Sequence, residues 1–232
     1  MMMKNATFNS YKSIGLIVLL IIYQYIPLFI LYLLGINYNT FDKSSKMIYL
    51  LVTSIIFMFF LLYIYRGSLK KDFKNFIHKP LDIIEVAIKY WLIGIVIMIA
   101  SNLVISLINH GGIAANEKAV RELLNKYPLF MLFQISVYAP FTEEVIFRKS
   151  IKDCFNNPIM YVLISGLIFG GMHVINADMN SFNDLLYIIP YSALGCVFAL
   201  LYSKTDNIFS TIFSHSFHNT LTFLLLIVFR SL

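Results

Sequence analysis

The 232-residue chain is 59% hydrophobic and 13% charged, about half the charge of an ordinary soluble domain, and its mean hydropathy is +0.77. These proportions exclude a water-soluble globular protein and predict an all-α polytopic membrane protein, a single membrane domain over residues 1–232. The 18 Lys+Arg against 12 Asp+Glu give +6, which we read as the basic bias of cytoplasmic loops, so the lipid bilayer is an expected partner and nucleic acid is not.

A helix needs ~20 apolar residues to cross a bilayer core of ~30 Å. About seven segments qualify: 14–35, 48–65, 83–108, 128–150, 158–176, 184–203 and 207–229. The first, "IGLIVLLIIYQYIPLFILYLLG", follows Lys4 and Lys12 as a signal peptide would. It is too long for one and no small-x-small cleavage site follows, so it is expected to stay as an anchor. The link between the second and third segments holds Arg66, Lys70, Lys71, Lys74 and Lys79, whereas "NADMNSFND" between the fifth and sixth has acidic residues and no basic one. The first link is therefore expected inside and the second outside, which puts the N-terminus, Lys149, Lys152 and Lys204 in the cytoplasm of a multi-pass cell-membrane protein. "NEKAVRELLNKY" falls outside. Its Glu117–Arg121 and Glu122–Lys126 spacings predict a short amphipathic helix at the interface. The glycines of "GLIFGGMH" read as close-packing sites between helices. Cys154 and Cys196, at the end of one segment and within another, read as two separate thiols.

Charge inside a span costs ~2.5–3.5 kcal/mol per residue on insertion scales, so it must pair or work. "YAPFTEEVIFRKS" places Glu143, Glu144 and Arg148 in such surroundings. Adjacent helical residues point ~100° apart, whereas residues four apart share a face. Glu144 should therefore pair with Arg148, leaving Glu143 free. Phe169 and His173 share a face of the fifth span, as do His215 and Asn219 of the seventh. At ~1.5 Å per residue, Glu143 and His173 rise roughly 20 and 24 Å from the turn at 156–158, and His215 and Asn219 roughly 15 and 24 Å from the turn at "SKTDN". Three helices thus present polar groups at overlapping depth. His218 points ~100° from Asn219 and reads as a supporting residue. His78 and His110 fall in loops, while Gln24, Asn102 and Gln134 read as helix-to-helix hydrogen-bonding residues.

The ordered set "EEVIFR", "FGGMH" and "HSFHN" resembles the CPBP family of CAAX proteases and bacteriocin-processing enzymes, called Abi in bacteria, over roughly residues 128–225. The resemblance implies a CAAX-protease-like helical bundle with a core at 128–229, a variable region at 1–127, and an intramembrane endopeptidase acting on a membrane-associated peptide or protein. It implies that Glu143 is the general base on water, that His173 helps hold that water, and that His215 and Asn219 form the oxyanion site. Glu144, Arg148 and Phe169 would support them. The cofactor stays open between a divalent metal such as zinc, held by Glu143, His173, His215 and water, and a metal-free glutamate route. No H-E-x-x-H, G-x-G-D or serine-protease loop is present. A proton-coupled transporter is disfavoured because no repeat is visible, and a non-catalytic scaffold in bacteriocin immunity is the remaining alternative. Richness in Ile, Lys and Asn points to an AT-rich bacterial genome and hence to a substrate other than a prenylated tail.

Overall fold

The structure is a computed structural model that describes residues 2–23, 25–109, 112–175 and 182–230. Among the described residues every regular element is a helix. In chain order these are α1 (Met2–Tyr23), α2 (Ile26–Leu33), α3 (Lys43–His78), α4 (Pro80–Ile108), α5 (Ala115–Lys126), α6 (Pro128–Ser150), α7 (Pro158–Ile175), α8 (Ile188–Thr205, entered through a 3-10 turn over Phe182–Tyr187) and α9 (Ile208–Arg230). Among the described residues six helices are long and apolar enough to cross a membrane, or seven spans if the bent pair α1–α2 counts as one. The protein is an all-α polytopic membrane protein. Large apolar side chains stand open on its outer face, among them Leu107, Leu81 and Leu129. That many would doom a protein in water and suits one in lipid.

Two sequence expectations need correction. The anchor expected as one span over 14–35 is two helices, bent by 60° between Tyr23 and Ile26. Pro27 stands in the first turn of α2 and has no N–H to offer the carbonyl of Tyr23, so the helix cannot run straight through. The basic link after residue 65 is not a loop either. α3 continues for 36 residues to His78, carrying Arg66, Lys70, Lys71 and Lys74 in helix, because no proline intervenes before Pro80 and the single Gly67 does not stop it. His78 accordingly ends a helix. Gln24, His110 and most of "NADMNSFND" lie outside the described residues.

α8 is the central staff: 56% of its spanning window is buried, against 11% for α4. It packs along α4, α7 and α9. Its approach to α7 explains the glycines as expected. A Cβ on Gly170 would stand 2.6 Å from the backbone nitrogen of Ser192, and one on Gly166 would stand 2.8 Å from that of Cys196. Small residues four apart let the two backbones touch, and van der Waals contact over that seam is the main force available inside a bilayer. Cys196 is free, as is Cys154, as expected. The helix expected at 116–127 forms as α5. Its Arg121 pairs with Glu117 at 2.5 Å, while Lys126 stands 5.3 Å over the Tyr127 ring instead of pairing with Glu122.

Candidate active site

α6 brings the acidic residues, and its backbone is unusual where it does so. Residues Gln134–Tyr138 and Val145–Ser150 are π-helical, flanking an α-helical stretch at Ala139–Glu144. Widened turns of this kind are rare and strand backbone carbonyls, so they need outside partners. In the π register the carbonyl of Ile135 would take the N–H of residue 140, which is Pro140 and has none. The Nδ2 of Asn219, on α9, donates to that carbonyl at 2.8 Å. Asn219 therefore locks α9 onto α6 with one amide hydrogen and keeps a second.

The two glutamates divide as the helical geometry predicts. Glu144 and Arg148 are fully buried and paired at two points: Nε to Oε2 at 3.0 Å and Nη2 to Oε1 at 3.3 Å. The remaining nitrogen of Arg148 donates to the Ser165 hydroxyl at 3.0 Å, and the guanidinium stands 4.6 Å over the Phe169 ring. Every face of this buried cation is thus occupied, as its cost demands. Glu144 does one thing more, which helix periodicity could not reveal: its Oε1 lies 3.0 Å from Nδ1 of His215. It orients a histidine as well as a helix.

Glu143 has no such partner. Its Oε2 is buried without a hydrogen bond among the described residues and lies 4.0 Å from Nε2 of both His173 and His215. The other ring nitrogens are already committed. Nδ1 of His173 lies 2.9 Å from the carbonyl of Phe169, which can only accept, so that nitrogen carries the hydrogen. Nδ1 of His215 likewise donates to the Glu144 carboxylate. Nε2 of His173 is left to face Glu143 as a lone pair while Nε2 of His215 faces the same carboxylate, and two acceptors converging on one point require something electropositive between them. The Tyr191 ring stacks on His173 at 4.7 Å, and Asn116 of α5 reaches the Tyr191 hydroxyl at 3.4 Å.

By kind, one glutamate and two histidines suit zinc. By spacing they do not. Ligands ~2.0–2.2 Å from a tetrahedral ion stand roughly 3.3–3.5 Å apart, closer than the observed 4.0 Å. Among the described residues no group of three His, Cys, Asp or Glu is placed to hold an ion. Hydrogen bonds of ~2.8 Å to one water would span such a separation at an angle near 90°. The arrangement fits a shared water.

The structure therefore brings Glu143, His173 and His215 together, sets Asn219 on the wall of the same cavity, and puts Glu144, Arg148 and Phe169 directly behind them. His218, expected as a supporting residue, also lines that cavity, as does Asn102. Gln134 bonds across helices to Ser54 at 2.7 Å, as expected of it. Ser165, Tyr191 and Asn116 were missed. Nothing in their own neighbourhoods marks them, although Pro140, five residues after Ile135, could have flagged the carbonyl that Asn219 serves.

Residues 125–221 match the family model of the Rce1-like type II CAAX prenyl endopeptidases. YdiL of Bacillus subtilis, provisionally named a membrane peptidase, is 35% identical over 108 residues, 45% of this chain and 40% of its own. An uncharacterized protein of Mycoplasma capricolum is 30% identical over 217 residues, 84% of this chain and 60% of its own. The membrane-embedded CAAX protease MroQ of Staphylococcus aureus is 26% identical over 227 residues, 90% of this chain and 86% of its own. The chain thus covers less than two thirds of the first two of these relatives, and no solved structure matches it.

Proposed function

We propose, from the match of residues 125–221 to the Rce1-like CAAX endopeptidase family model, that the chain is an intramembrane endopeptidase that hydrolyses a membrane-associated peptide or protein with a water activated by Glu143. The observation that carries this reading is the unpartnered Glu143 carboxylate facing two histidine nitrogens at 4.0 Å inside an apolar bundle. Glu143 takes a proton from a water held against His173, and the resulting hydroxide attacks the scissile carbonyl carbon. The carbonyl oxygen becomes an oxyanion within reach of the free amide hydrogen of Asn219 and of His215. To donate there His215 needs hydrogens on both ring nitrogens, an imidazolium whose charge the Glu144 carboxylate balances. Glu143, Glu144, Arg148 and His215 then sum to zero charge, the cheapest arrangement in a low-dielectric interior. Collapse of the tetrahedral intermediate breaks the C–N bond, and Glu143 returns its proton to the departing amine.

The test compares membranes carrying the wild type with those carrying Glu143→Gln, at equal abundance, by peptidomics against a deletion strain. Cleavage products should fall roughly 10²–10⁴-fold in the variant, the usual worth of a general base. His215→Ala should cost roughly 10²–10³-fold as a lost oxyanion donor. A variant that complements the deletion fully without cleaving anything would favour a scaffold instead, and lost proton-coupled uptake would favour a transporter. Since Glu143, His173, His215 and Asn219 supply the chemistry in this reading, a chelator should leave cleavage by the purified protein unchanged. The inward orientation of the N-terminus belongs to the same proposal, and a reporter fused to residue 1 tests it.

A further inference from the structure

Two cavities meet at the site. One, of about 450 Å³, is walled by α1, α3 and the first turns of α6. The other, of about 380 Å³, lies between α4, α5 and α9. Glu143, His173 and Asn116 line both. Each falls in the size range of a ligand pocket, and the carboxylate marks their common wall. Neither volume alone would explain a polar group at that wall; a chain passing from one to the other would.

The two walls differ in chemistry. In the first cavity Tyr23, Thr53, Ser54, Gln134 and Tyr138 turn polar groups inward. The hydroxyls of Thr53 and Ser54 spend their hydrogens on the carbonyl of Leu50 at 2.9 and 2.8 Å, and Ser54 accepts from Gln134 at 2.7 Å. What remains on offer there is the acceptor oxygen of Thr53 and Ser54 beside the phenol groups of Tyr23 and Tyr138, with no lysine or arginine in the lining and no acid besides Glu143. In the second cavity, away from the site, Met98, Val120, Ile135, Phe223 and Leu226 make an apolar stretch of wall, with Asn102, Glu117 and Thr222 at other points of the lining.

We infer that the two cavities are the two arms of one peptide channel crossing over Glu143: the α1–α3 arm selects an uncharged side chain bearing a hydrogen-bond donor, and the α4–α9 arm selects an apolar one. This inference rests on the endopeptidase reading. An anionic side chain in the first arm meets acceptors and the catalytic carboxylate, and a cationic one quenches the base, so Ser, Thr, Asn and Gln fit best. Tyr23, Thr53 and Ser54 of the first arm and Met98 and Val120 of the second lie before residue 125, so each arm draws part of its selectivity from the portion of the chain that the family match does not reach.

The experiment incubates the purified full chain, in lipid nanodiscs, with a random-sequence decapeptide library and reads the cleavage sites by mass spectrometry, with Glu143→Gln as background. Wild type should favour Ser, Thr, Asn or Gln on one side of the cut and an apolar residue on the other. Thr53→Val, which is nearly isosteric, and Gln134→Leu should each weaken the polar preference about fivefold, the worth of one neutral hydrogen bond, and leave the other side unmoved. Met98→Ala should shift only the apolar side, towards larger residues. Thermal midpoints in the same nanodiscs confirm that each variant is folded, and Thr53→Val keeps the test decisive if Gln134→Leu is not. Cleavage with preferences unchanged, or changed alike on both sides, overturns the channel and leaves the endopeptidase standing. No cleavage by wild type overturns the endopeptidase and the channel with it.

Discussion

Asn219 holds the Ile135 carbonyl and, in the proposed mechanism, also donates to the oxyanion, and the two roles can be separated. Removing its side chain strips the Ile135 carbonyl of a donor, a cost of roughly 1–3 kcal/mol for a buried polar group left alone. Pro140→Ala supplies an N–H at the position where the π register wants one. We expect Asn219→Ala to lower the thermal midpoint and Asn219→Ala/Pro140→Ala to recover much of it, while cleavage stays low in both because the oxyanion donor is gone. A double variant that recovered activity would make Asn219 purely structural. Arg148 offers a second case. Its guanidinium reaches Glu144 and Ser165 while covering Phe169. An ammonium reaches one partner at a time. Arg148→Lys should therefore cost about as much as breaking a buried pair, roughly 3–5 kcal/mol, read as lost folded protein in the membrane.

Among the elements, the seam between α7 and α8 decides where His173 stands. α7 carries that histidine three residues beyond Gly170, whose missing Cβ is what lets Ser192 approach. Gly170→Ala should push the helices apart, costing roughly 1–3 kcal/mol as an overpacked contact and withdrawing His173 from Glu143. Gly171→Ala is the matched control, since its Cβ would meet only Ile175 at 4.0 Å. Activity and thermal midpoint should drop together in the first variant and hold in the second. The π segments of α6 act at the same scale. Each widened turn changes the direction in which later side chains point, so the aim of Glu143 depends on Gln134–Tyr138 as much as on its own position.

Across the whole molecule, one buried ion pair ties the two halves of the chain. Asp72 of α3 meets Lys149 of α6 at 2.6 Å, with both side chains under a tenth exposed. The backbone carbonyl of Asp72 takes Nδ2 of Asn207 at 2.8 Å, and its carboxylate lies 3.4 Å from the first N–H of α9. Lys149, placed by the sequence reading on the cytoplasmic side, is a buried clamp. Asp72→Ala leaves its ammonium without a counter-charge and should destabilise by roughly 3–5 kcal/mol, whereas Asp72→Ala/Lys149→Met should regain most of that. Thermal unfolding in detergent distinguishes the two outcomes.

The sequence by itself determined the fold class, the later span boundaries and the pairing of Glu144 with Arg148. Each follows from local physics: apolar length against bilayer thickness, and a four-residue offset on one helix. It also placed Glu143, His173 and His215 at common depth, because rise per residue is fixed. Tertiary structure alone decided that Glu144 orients His215, that Asn219 caps a carbonyl orphaned by Pro140, and that Asp72 holds Lys149. These are partnerships between helices 71, 84 and 77 residues apart in the chain. Which side chains meet across such distances depends on how helices rotate against one another, and local periodicity carries no record of that rotation.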